Sequence, residues 1–231
     1  MSALHAEVER GYASYTRRSL PFYDGWVLGF CNPRIWECPT PFLLDFYRKH
    51  VSNNHLEAGV GSGYFLENGL PEGKPRVALL DINRDCLDYV EKRISDYRPE
   101  VFQENLLDTI DLGVPPFDSI ALNYVLHCLP GRMETKAALV FDHLIPHLKE
   151  DGKIFGSSIL GTDVQMSRLA KILLRAKNKK GIFSNANDSL GAVMEALSTR
   201  FKTFNVEVYG CVVLFWAKGI RDSHRERLLD Q

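Results

Sequence analysis

Three glycines stand at alternate positions in the stretch HLEAGVGSGYFLENGL, which covers residues 55–70. Gly59, Gly61 and Gly63 follow an apolar run and precede a short helical pattern. Glycine permits a close approach of the backbone to a ligand, which is typical of sites for nucleotides and other adenosine-bearing cofactors. A dinucleotide fingerprint needs another glycine where Tyr64 stands. The spacing therefore disfavours a pyrophosphate cradle, but a tight strand-to-helix turn without a ligand stays open.

An acidic residue ends the next apolar run along the chain. Asp81 closes VALLD, at about the distance where adenosine-binding α/β folds place an acid on the ribose hydroxyls. A carboxylate there can accept two hydrogen bonds from a cis-diol, each contributing about 1.5–3 kcal/mol. Ile82 would then flank the adenine. The alternative is that Asp81 caps the helix starting near Arg84, and the two roles can coexist.

Polar side chains also follow the third and fourth apolar runs. The Asn105 amide could pair with the edge of a purine beside the apolar Leu106, although asparagine here could equally be a turn residue. Asn123, Tyr124 and His127 follow the fourth run. Histidine has an ordinary pKa near neutrality, so His127 is the natural candidate for a general base, with a structural role as the alternative.

The elements that must position these residues alternate in type from residue 54 onward. The apolar runs are NHLEAGV, RVALLD, EVFQEN, FDSIALNY and GKIFGSSIL, and helical patterns separate them. This alternation predicts an α/β fold with a doubly wound parallel sheet covered on both faces. The stretch FKTFNVEVYGCVVLFWAKG predicts a closing antiparallel hairpin that turns around Tyr209 and Gly210.

Two segments lie outside this alternation. The aromatic-rich segment 1–53 contains TPFLLDFYRKH, which predicts a helix with Thr40 as N-cap and Pro41 in its first turn. An insertion over 161–200 holds the basic helical run QMSRLAKILLRAKNKK, the polar loop GIFSNAND and the helical run LGAVMEALSTR. The basic stripe could attract an acidic substrate or simply face solvent.

We expect both segments to cover the carboxyl edge of the sheet, where ligands of such folds bind. The division is one domain over residues 1–231 with four parts: a helical cap at 1–53, a cofactor-binding core at 54–160, a substrate-side insertion at 161–200, and a hairpin and tail at 201–231.

Composition restricts the partners. The 28 basic and 29 acidic residues give a formal charge of -1, which provides no global attraction for nucleic acid or an anionic membrane. The five cysteines show no zinc-binding spacing and are expected to be reduced thiols. The N-terminal stretch lacks the apolar core of a signal peptide, and no apolar run approaches the ~20 residues that cross a bilayer. We therefore expect a cytoplasmic protein with a small-molecule partner and no metal site.

Together these motifs resemble the class I S-adenosylmethionine-dependent methyltransferases that act on small molecules, type 11/12. The residues that carry the resemblance are EAGVGSG, LLDIN, QENLL, FDSIALNYVLHCLPG, GKIFGSSIL and the closing hairpin, over about residues 50–218. The stretch FYDGWVLGFCNPRIWECPTPFLLDFYRKH also resembles the cap of a microbial and fungal subgroup, some members of which belong to natural-product pathways. The resemblance implies a Rossmann-like, mostly parallel seven-stranded sheet, S-adenosyl-L-methionine as cofactor, and methylation of a small organic acceptor, chiefly at oxygen.

The resemblance also implies a role for each cofactor residue. In this family an acid often stands where Asn105 is found, and an asparagine amide can also pair with the purine edge. The implied cofactor contacts are Glu57 at the ammonium, Gly59, Gly61 and Gly63 along the methionine and ribose portions, Asp81 at the ribose diol, Ile82, Asn105 and Leu106 around the adenine, Asn123 at the methionine part and Tyr124 near the sulfonium.

Methyl transfer needs little catalytic machinery. Desolvation and alignment of nucleophile, methyl group and sulfur supply most of the rate, and a base is needed only when the nucleophile must lose a proton. His127 is the first candidate for that base and Tyr23 the second. Aromatic residues predicted to line the acceptor pocket are Tyr15, Trp26, Trp36 and Phe183, with plain packing of the cap as their alternative role.

Other hypotheses remain open from the sequence. The chain could be a noncatalytic protein that binds S-adenosylmethionine, and nothing in the residues excludes this. A nicotinamide-dependent oxidoreductase is disfavoured by Tyr64 and by the closing hairpin. A homodimer is a further possibility.

Overall fold

A seven-stranded sheet forms the centre of the protein. The computed structural model describes the backbone over residues 3–229 and side chains over residues 7–227. The strand order is β3-β2-β1-β4-β5-β7-β6. Strand β7 is antiparallel to β5 and β6, and all other neighbouring pairs are parallel. The strands are β1 (Asn54–Ala58), β2 (Arg76–Leu80), β3 (Glu100–Phe102), β4 (Phe117–Asn123), β5 (Leu148–Ile159), β6 (Phe201–Tyr209) and β7 (Val212–Ile220).

This sheet confirms the predicted architecture. Each of the five apolar runs contains a strand, and β6 and β7 form the closing hairpin. The chain builds β1, β2 and β3 outward in one direction and then returns to place β4 on the other side of β1. A ligand crevice is expected beyond the carboxyl ends of β1 and β4, because the strand order reverses between them.

Helices cover both faces of the sheet. Leu56 and Leu80 belong to the apolar core on one face, whereas Val77, Leu79 and Ala121 belong to the cores on the other. Burial on both sides explains the absence of polar alternation in these strands. The α-helices are α1 (Ala3–Tyr12), α2 (Leu20–Tyr23), α3 (Asn32–Arg34), α4 (Thr40–His50), α5 (Tyr64–Gly69), α6 (Arg84–Arg93), α7 (Met133–Leu144), α8 (Arg168–Lys179), α9 (Leu190–Ser198) and α10 (Asp222–Leu229).

The N-terminal helices are attached to the loops at the carboxyl edge. A π-helix over Asp24–Cys31 follows α2 directly. Asp24 accepts a hydrogen bond of 2.6 Å from Ser62 Oγ, in the glycine turn, and pairs with Arg93 at 2.7 Å. Asn83 Nδ2 donates to the Tyr15 carbonyl at 2.7 Å. These contacts hold the segment over the edge where the crevice is expected.

The start of α4 differs in detail from the prediction. Pro39, not Thr40, is the N-cap residue, and its side chain makes no capping hydrogen bond. The Thr40 hydroxyl instead donates to the Leu28 carbonyl at 2.5 Å, which joins α4 to the π-helix. The helix itself covers the predicted residues.

The two helices of the 161–200 segment lie in different places. Helix α8 and the loop after it border the carboxyl edge, where Leu173 and Phe183 line a cavity. In contrast, α9 packs against α7 and β6, and its Val193 and Leu197 belong to the main core. Only the first part of this segment therefore borders the carboxyl edge of the sheet.

The described residues contain neither a membrane-spanning helix nor a metal-binding cluster. No helix between residues 3 and 229 has the length and apolar character of a membrane span. Among the same residues, no cluster of His, Cys, Asp and Glu side chains could hold a metal ion.

Candidate functional site

The glycine turn brings open backbone to the carboxyl end of β1. Gly59 has φ +83°, and a Cβ there would lie 2.3 Å from Val125 Cγ2, so a side chain does not fit. At Gly61, with φ +52°, a Cβ would meet nothing within 4 Å. Gly61 lines two adjoining cavities. The backbone here is therefore exposed to whatever fills them.

Asp81 holds this turn from the end of β2. Its Oδ2 accepts a hydrogen bond from the Val60 N–H at 2.9 Å, and its Oδ1 accepts one from the Asn83 N–H at 2.8 Å. Burial raises the pKa of this carboxyl to about 6, although the backbone N–H groups oppose the shift. The N-cap of α6 is Asn83, which accepts from the Asp85 N–H at 3.0 Å. The capping alternative for Asp81 is thus wrong.

Apolar side chains surround the cavity next to Asp81. This cavity has a volume of about 110 Å³. The Asn105 side chain lines it, but its Oδ1 accepts from the Leu107 N–H at 3.1 Å and its Nδ2 donates to Asp108 at 2.9 Å. Both polar atoms of that amide are already engaged, which favours the turn role. Other lining residues include Tyr12, Tyr15, Ile82, Cys86, Leu106, Val125, Cys128 and Leu129, and the acidic Glu104.

Glu57 lies on the other side of the glycine turn, at the end of β1. It is 3% exposed and lines a small cavity of about 30 Å³ together with the turn. The Tyr47 hydroxyl donates to Glu57 Oε2 at 2.7 Å, and His55 Nε2 lies 3.1 Å from the same oxygen. Burial raises the pKa of Tyr47, so its hydroxyl keeps the proton that it donates. A buried carboxylate whose orientation is fixed by Tyr47 and His55 can accept hydrogen bonds from a cationic group.

Strain and unpaired polar atoms mark the end of β4. Tyr124 has φ +58°, in the left-handed region that non-glycine residues rarely adopt. The Tyr124 hydroxyl and Asn123 Nδ2 are buried with no hydrogen-bond partner among the described residues. Buried polar atoms are nearly always paired, and backbone strain concentrates at functional sites. Both features mark the end of β4 as a candidate ligand-binding position.

A third and much larger cavity opens beyond Tyr124. Its volume of about 590 Å³ lies within the range of small-molecule pockets. Its wall is mainly aromatic: the Phe183 ring lies 6.1 Å from that of Trp36 and 4.6 Å from that of His127. Trp26 is 63% exposed and stacks on Phe30 at the rim. All four predicted acceptor residues, Tyr15, Trp26, Trp36 and Phe183, line this cavity.

Two tyrosines join the three cavities. Tyr23 and Tyr124 line the Asp81 cavity, the Glu57 cavity and the large aromatic cavity alike. The site thus has the Asp81 cavity and the Glu57 cavity along the sheet edge and the large aromatic cavity, here called the aromatic chamber, and the same two tyrosines border all three.

Comparison with known proteins places this arrangement in a family. Residues 56–154 match the family described as "Methyltransferase domain". The chain is 34% identical over 211 residues to the physcion biosynthesis cluster O-methyltransferase of Aspergillus chevalieri, covering 90% of this chain and 95% of that protein. The chain belongs to the class I S-adenosylmethionine-dependent methyltransferases.

Two further proteins extend the comparison. The demethylluteothin O-methyltransferase of Streptomyces thioluteus is 30% identical to this methyltransferase, with 91% of this chain and 92% of that protein covered. The N-methyltransferase NodS of Bradyrhizobium japonicum, solved with S-adenosyl-L-homocysteine, is similar in structure with a TM-score of 0.64. At 17% identity, with 91% of this chain and 98% of NodS covered, that similarity shows the shared fold. It confirms the Rossmann-like architecture.

The methyltransferase's residues fit its cofactor. An added Cβ at Gly61 would point into open space, and Asn123 and Tyr124 present unpaired polar atoms. Asp81 and Glu57 place carboxylates in the walls of two adjoining cavities. A ligand with a diol at one end and an ammonium at the other can donate hydrogen bonds to these two carboxylates.

Burial shifts the pKa values of the two candidate bases in opposite directions, and both groups are uncharged at neutral pH. Burial, together with the positive charges of Lys136 and Lys177, lowers the pKa of His127 to about 3. Burial raises the pKa of Tyr23 well above its ordinary value. At neutral pH His127 is therefore an uncharged imidazole and a weak base, while Tyr23 remains a phenol that can donate a hydrogen bond.

Several contacts of the site were missed from the sequence. Tyr47 reaches Glu57 from α4, and Cys128 lines the Asp81 cavity one residue beyond His127. Lys177 lines the aromatic chamber from α8. Lys177 belongs to the basic run QMSRLAKILLRAKNKK, but nothing in the spacing of that run separates this lysine from its neighbours.

We expect the Gly61→Ala change to weaken binding of S-adenosylhomocysteine at least tenfold, about 1.4 kcal/mol, because the new methyl group enters the ligand cavities. The left-handed backbone adds strain of roughly 1–2 kcal/mol to the folded state. Gly113→Ala is the matched control, since Gly113 has φ +62° and open space but lines none of the three cavities. Calorimetric titration and thermal unfolding of both variants separate binding from strain. Equal affinities in the two variants would contradict the assignment of Gly61.

Because His127 is neutral in the folded protein, we expect the free energy of unfolding to decrease in acid. The unfolded chain takes up a proton on this histidine below its ordinary pKa, whereas the folded chain resists protonation down to about pH 3. Folding stability therefore falls as pH decreases through 6.5, by about 2 kcal/mol between pH 7 and 5 relative to a His127→Gln variant. Urea unfolding of both proteins at several pH values measures the difference, in which contributions from other groups cancel. Parallel profiles would show that His127 is not held neutral.

Proposed function

We propose that this methyltransferase transfers a methyl group from S-adenosylmethionine to a hydroxyl oxygen of a hydrophobic, largely planar small molecule. The observation that carries the proposal is the meeting of the three cavities at Tyr23 and Tyr124. Two cavities offer the polar groups suited to the cofactor, and the third is an aromatic chamber. Reaction at oxygen is supported by two relatives that are named O-methyltransferases.

The cofactor is assigned to the Asp81 and Glu57 cavities. Asp81 would accept hydrogen bonds from the ribose diol, Glu57 would receive the ammonium, and Asn123 would contact the methionine part. Ile82 and Leu106 supply apolar surface for the adenine. When bound, the cofactor supplies an electrophilic methyl group on a sulfonium whose positive charge is lost in the reaction.

The acceptor is assigned to the aromatic chamber. Trp36 and Phe183 provide flat apolar surface, and the volume of about 590 Å³ admits a molecule of several fused or linked rings. These walls exclude water and limit the orientations of the acceptor, which favours an in-line displacement. Tyr23 can donate a hydrogen bond close to the point where the cavities meet.

Residues 1–231 act as one domain in this proposal. The N-terminal helices supply Tyr15 and Tyr23, the core supplies Asp81 and Tyr124, and α8 with its loop supplies Phe183. Neither a homodimer nor another partner is required to complete the chamber.

A set of matched acceptors tests the reacting atom. We would incubate the protein with S-adenosylmethionine and 2-naphthol, 2-naphthylamine or 2-naphthalenethiol, and identify products by mass spectrometry. The proposal predicts the methyl ether as the main product. Exclusive methylation of the amine or thiol would contradict the choice of oxygen. Tight binding of S-adenosylhomocysteine without any product would favour the noncatalytic alternative.

A further inference from the structure

One charged side chain lies in the wall of the aromatic chamber. Lys177 is half-buried on the last turn of α8 and lines the chamber with His127 and Phe183. The other basic residues of this helix are solvent-exposed and lie outside the chamber lining: Arg168, Lys171, Arg175 and Lys179. The basic stripe is therefore mostly a solvated face, with one residue turned to the site.

The loop after α8 fixes the surroundings of Lys177. The N–H groups of Ile182 and Phe183 donate to the Lys177 carbonyl at 3.1 and 3.3 Å, and the Ser184 N–H donates to the His127 carbonyl at 2.8 Å. These bonds turn the chain back over the chamber. As a result Lys177 Nζ lies 5.9 Å from the centre of the Phe183 ring, which in turn contacts the His127 ring.

No acidic side chain in the described part of the chain balances this ammonium. The chamber lining contains neither Asp nor Glu, and Lys177 has no ion pair within 4.0 Å among side chains 7–227. An ammonium beside apolar walls is weakly screened, so an anion in the chamber would interact with it strongly.

The other titratable groups of the chamber are uncharged at neutral pH. Burial raises the pKa values of the phenols and of the Cys31 thiol, and it lowers that of His127 to about 3. The phenols concerned are Tyr15, Tyr23 and Tyr124. Lys177 therefore supplies the charge in this wall, and no neighbouring side chain is suited to remove a proton from an acceptor.

We propose that the positive charge of Lys177 stabilises the anionic form of the acceptor, which makes the preferred acceptors phenols or enols rather than aliphatic alcohols. This inference rests on the proposed function and specifies its substrate class. On binding, the acceptor O–H bond breaks, the proton passes to bulk water through the chamber mouth, and the electron pair stays on oxygen. In a conjugated phenol or enol the negative charge is shared over the ring system, so Lys177 need not touch the reacting atom. No general base is then required.

The ionisation of a bound phenol tests this directly. The probes are 7-hydroxycoumarin, 2-naphthol and 4-nitrophenol, whose anions absorb at longer wavelengths than the neutral phenols. Each is titrated with pH in the presence of the protein saturated with S-adenosylhomocysteine. This cofactor product carries no sulfonium charge, so a shift must come from the protein. We expect the bound probes to ionise at a pH lower by about one unit or more than the free probes.

Variants identify the source of the shift. Lys177→Met should abolish it, Lys177→Arg should retain most of it, and Lys179→Met, on the exposed side of the same helix, should leave it unchanged. A shift that survives Lys177→Met, an unshifted probe, or failure of the wild type to bind any of the three phenols would overturn the proposal. Shifted probes that receive no methyl group from S-adenosylmethionine would uphold the role of Lys177 while contradicting the proposed function.

Discussion

Replacing Asp81 by alanine should weaken binding of S-adenosylhomocysteine by roughly 100-fold or more. Two charge-assisted hydrogen bonds to the ribose diol are lost, each contributing about 1.5–3 kcal/mol. The same carboxylate holds the Val60 and Asn83 N–H groups, so its removal also releases the glycine turn. Calorimetric titration measures the loss. Asp96→Ala, an exposed acid beyond α6, is the control and should bind normally.

The same carboxyl predicts a pH dependence of cofactor binding. Its pKa is raised to about 6 in the free protein, and the diol favours the charged, accepting form. Affinity should therefore be highest above pH 6 and fall as the carboxyl is protonated below it. Asp81→Asn cannot titrate and should lose this dependence between pH 5 and 7. An affinity in Asp81→Ala equal to that of the wild type, or a pH profile unchanged in Asp81→Asn, would refute the ribose assignment.

Replacing Lys136 by methionine should destabilise the fold strongly. Lys136 is buried and pairs with the buried Asp188 at 2.9 Å, and its Nζ also donates to the carbonyls of Leu129 and Ser184 at 3.1 and 2.7 Å. These contacts join α7 to the loop that carries Phe183. Removing the ammonium leaves a buried carboxylate unpaired, which costs about 3–5 kcal/mol. At roughly 2–4 °C per kcal/mol for a chain of this size, the loss should be obvious in thermal unfolding.

A double variant tests whether the destabilisation comes from leaving the Asp188 carboxylate unpaired. Lys136→Met combined with Asp188→Leu removes both charges and should recover much of the stability, because buried ion pairs can be replaced by apolar residues at little cost. The surface change Lys179→Met should stay within about 0.5 kcal/mol of the wild type. If Lys136→Met were as stable as Lys179→Met, the pair would not hold the loop.

The fold was largely predictable because the strands at the centre of its sheet, β1, β2 and β4, are buried on both faces. Uninterrupted apolar runs such as VALLD can only be satisfied in a covered sheet, and their alternation with helical patterns sets the parallel topology. The position of α9 was not predictable in the same way. Its periodicity shows one apolar face but not which part of the sheet that face meets. The sequence therefore predicts one insertion containing both α8 and α9, whereas α9 packs on α7 and β6.

In the site, positions at strand ends were predictable from the sequence, whereas contacts made by packed helices were not. Residues that end parallel strands lie at one edge of the sheet, and this rule places Glu57, Asp81 and Asn123 in the walls of two adjoining cavities. The contacts of Tyr47 and Lys177 depend on how distant helices pack onto that edge. Sequence spacing carries no information about such packing, and the protonation of His127 depends on burial that only the structure reveals.

A crystal structure of the protein with S-adenosylhomocysteine tests the central claim most directly, through the position of the sulfur atom. We predict the ribose on Asp81, the amino group near Glu57, and the sulfur between Tyr23 and Tyr124, facing the aromatic chamber. A sulfur atom directed away from that chamber, or an adenosine bound outside the cavity lined by Asp81 and Ile82, would contradict the account.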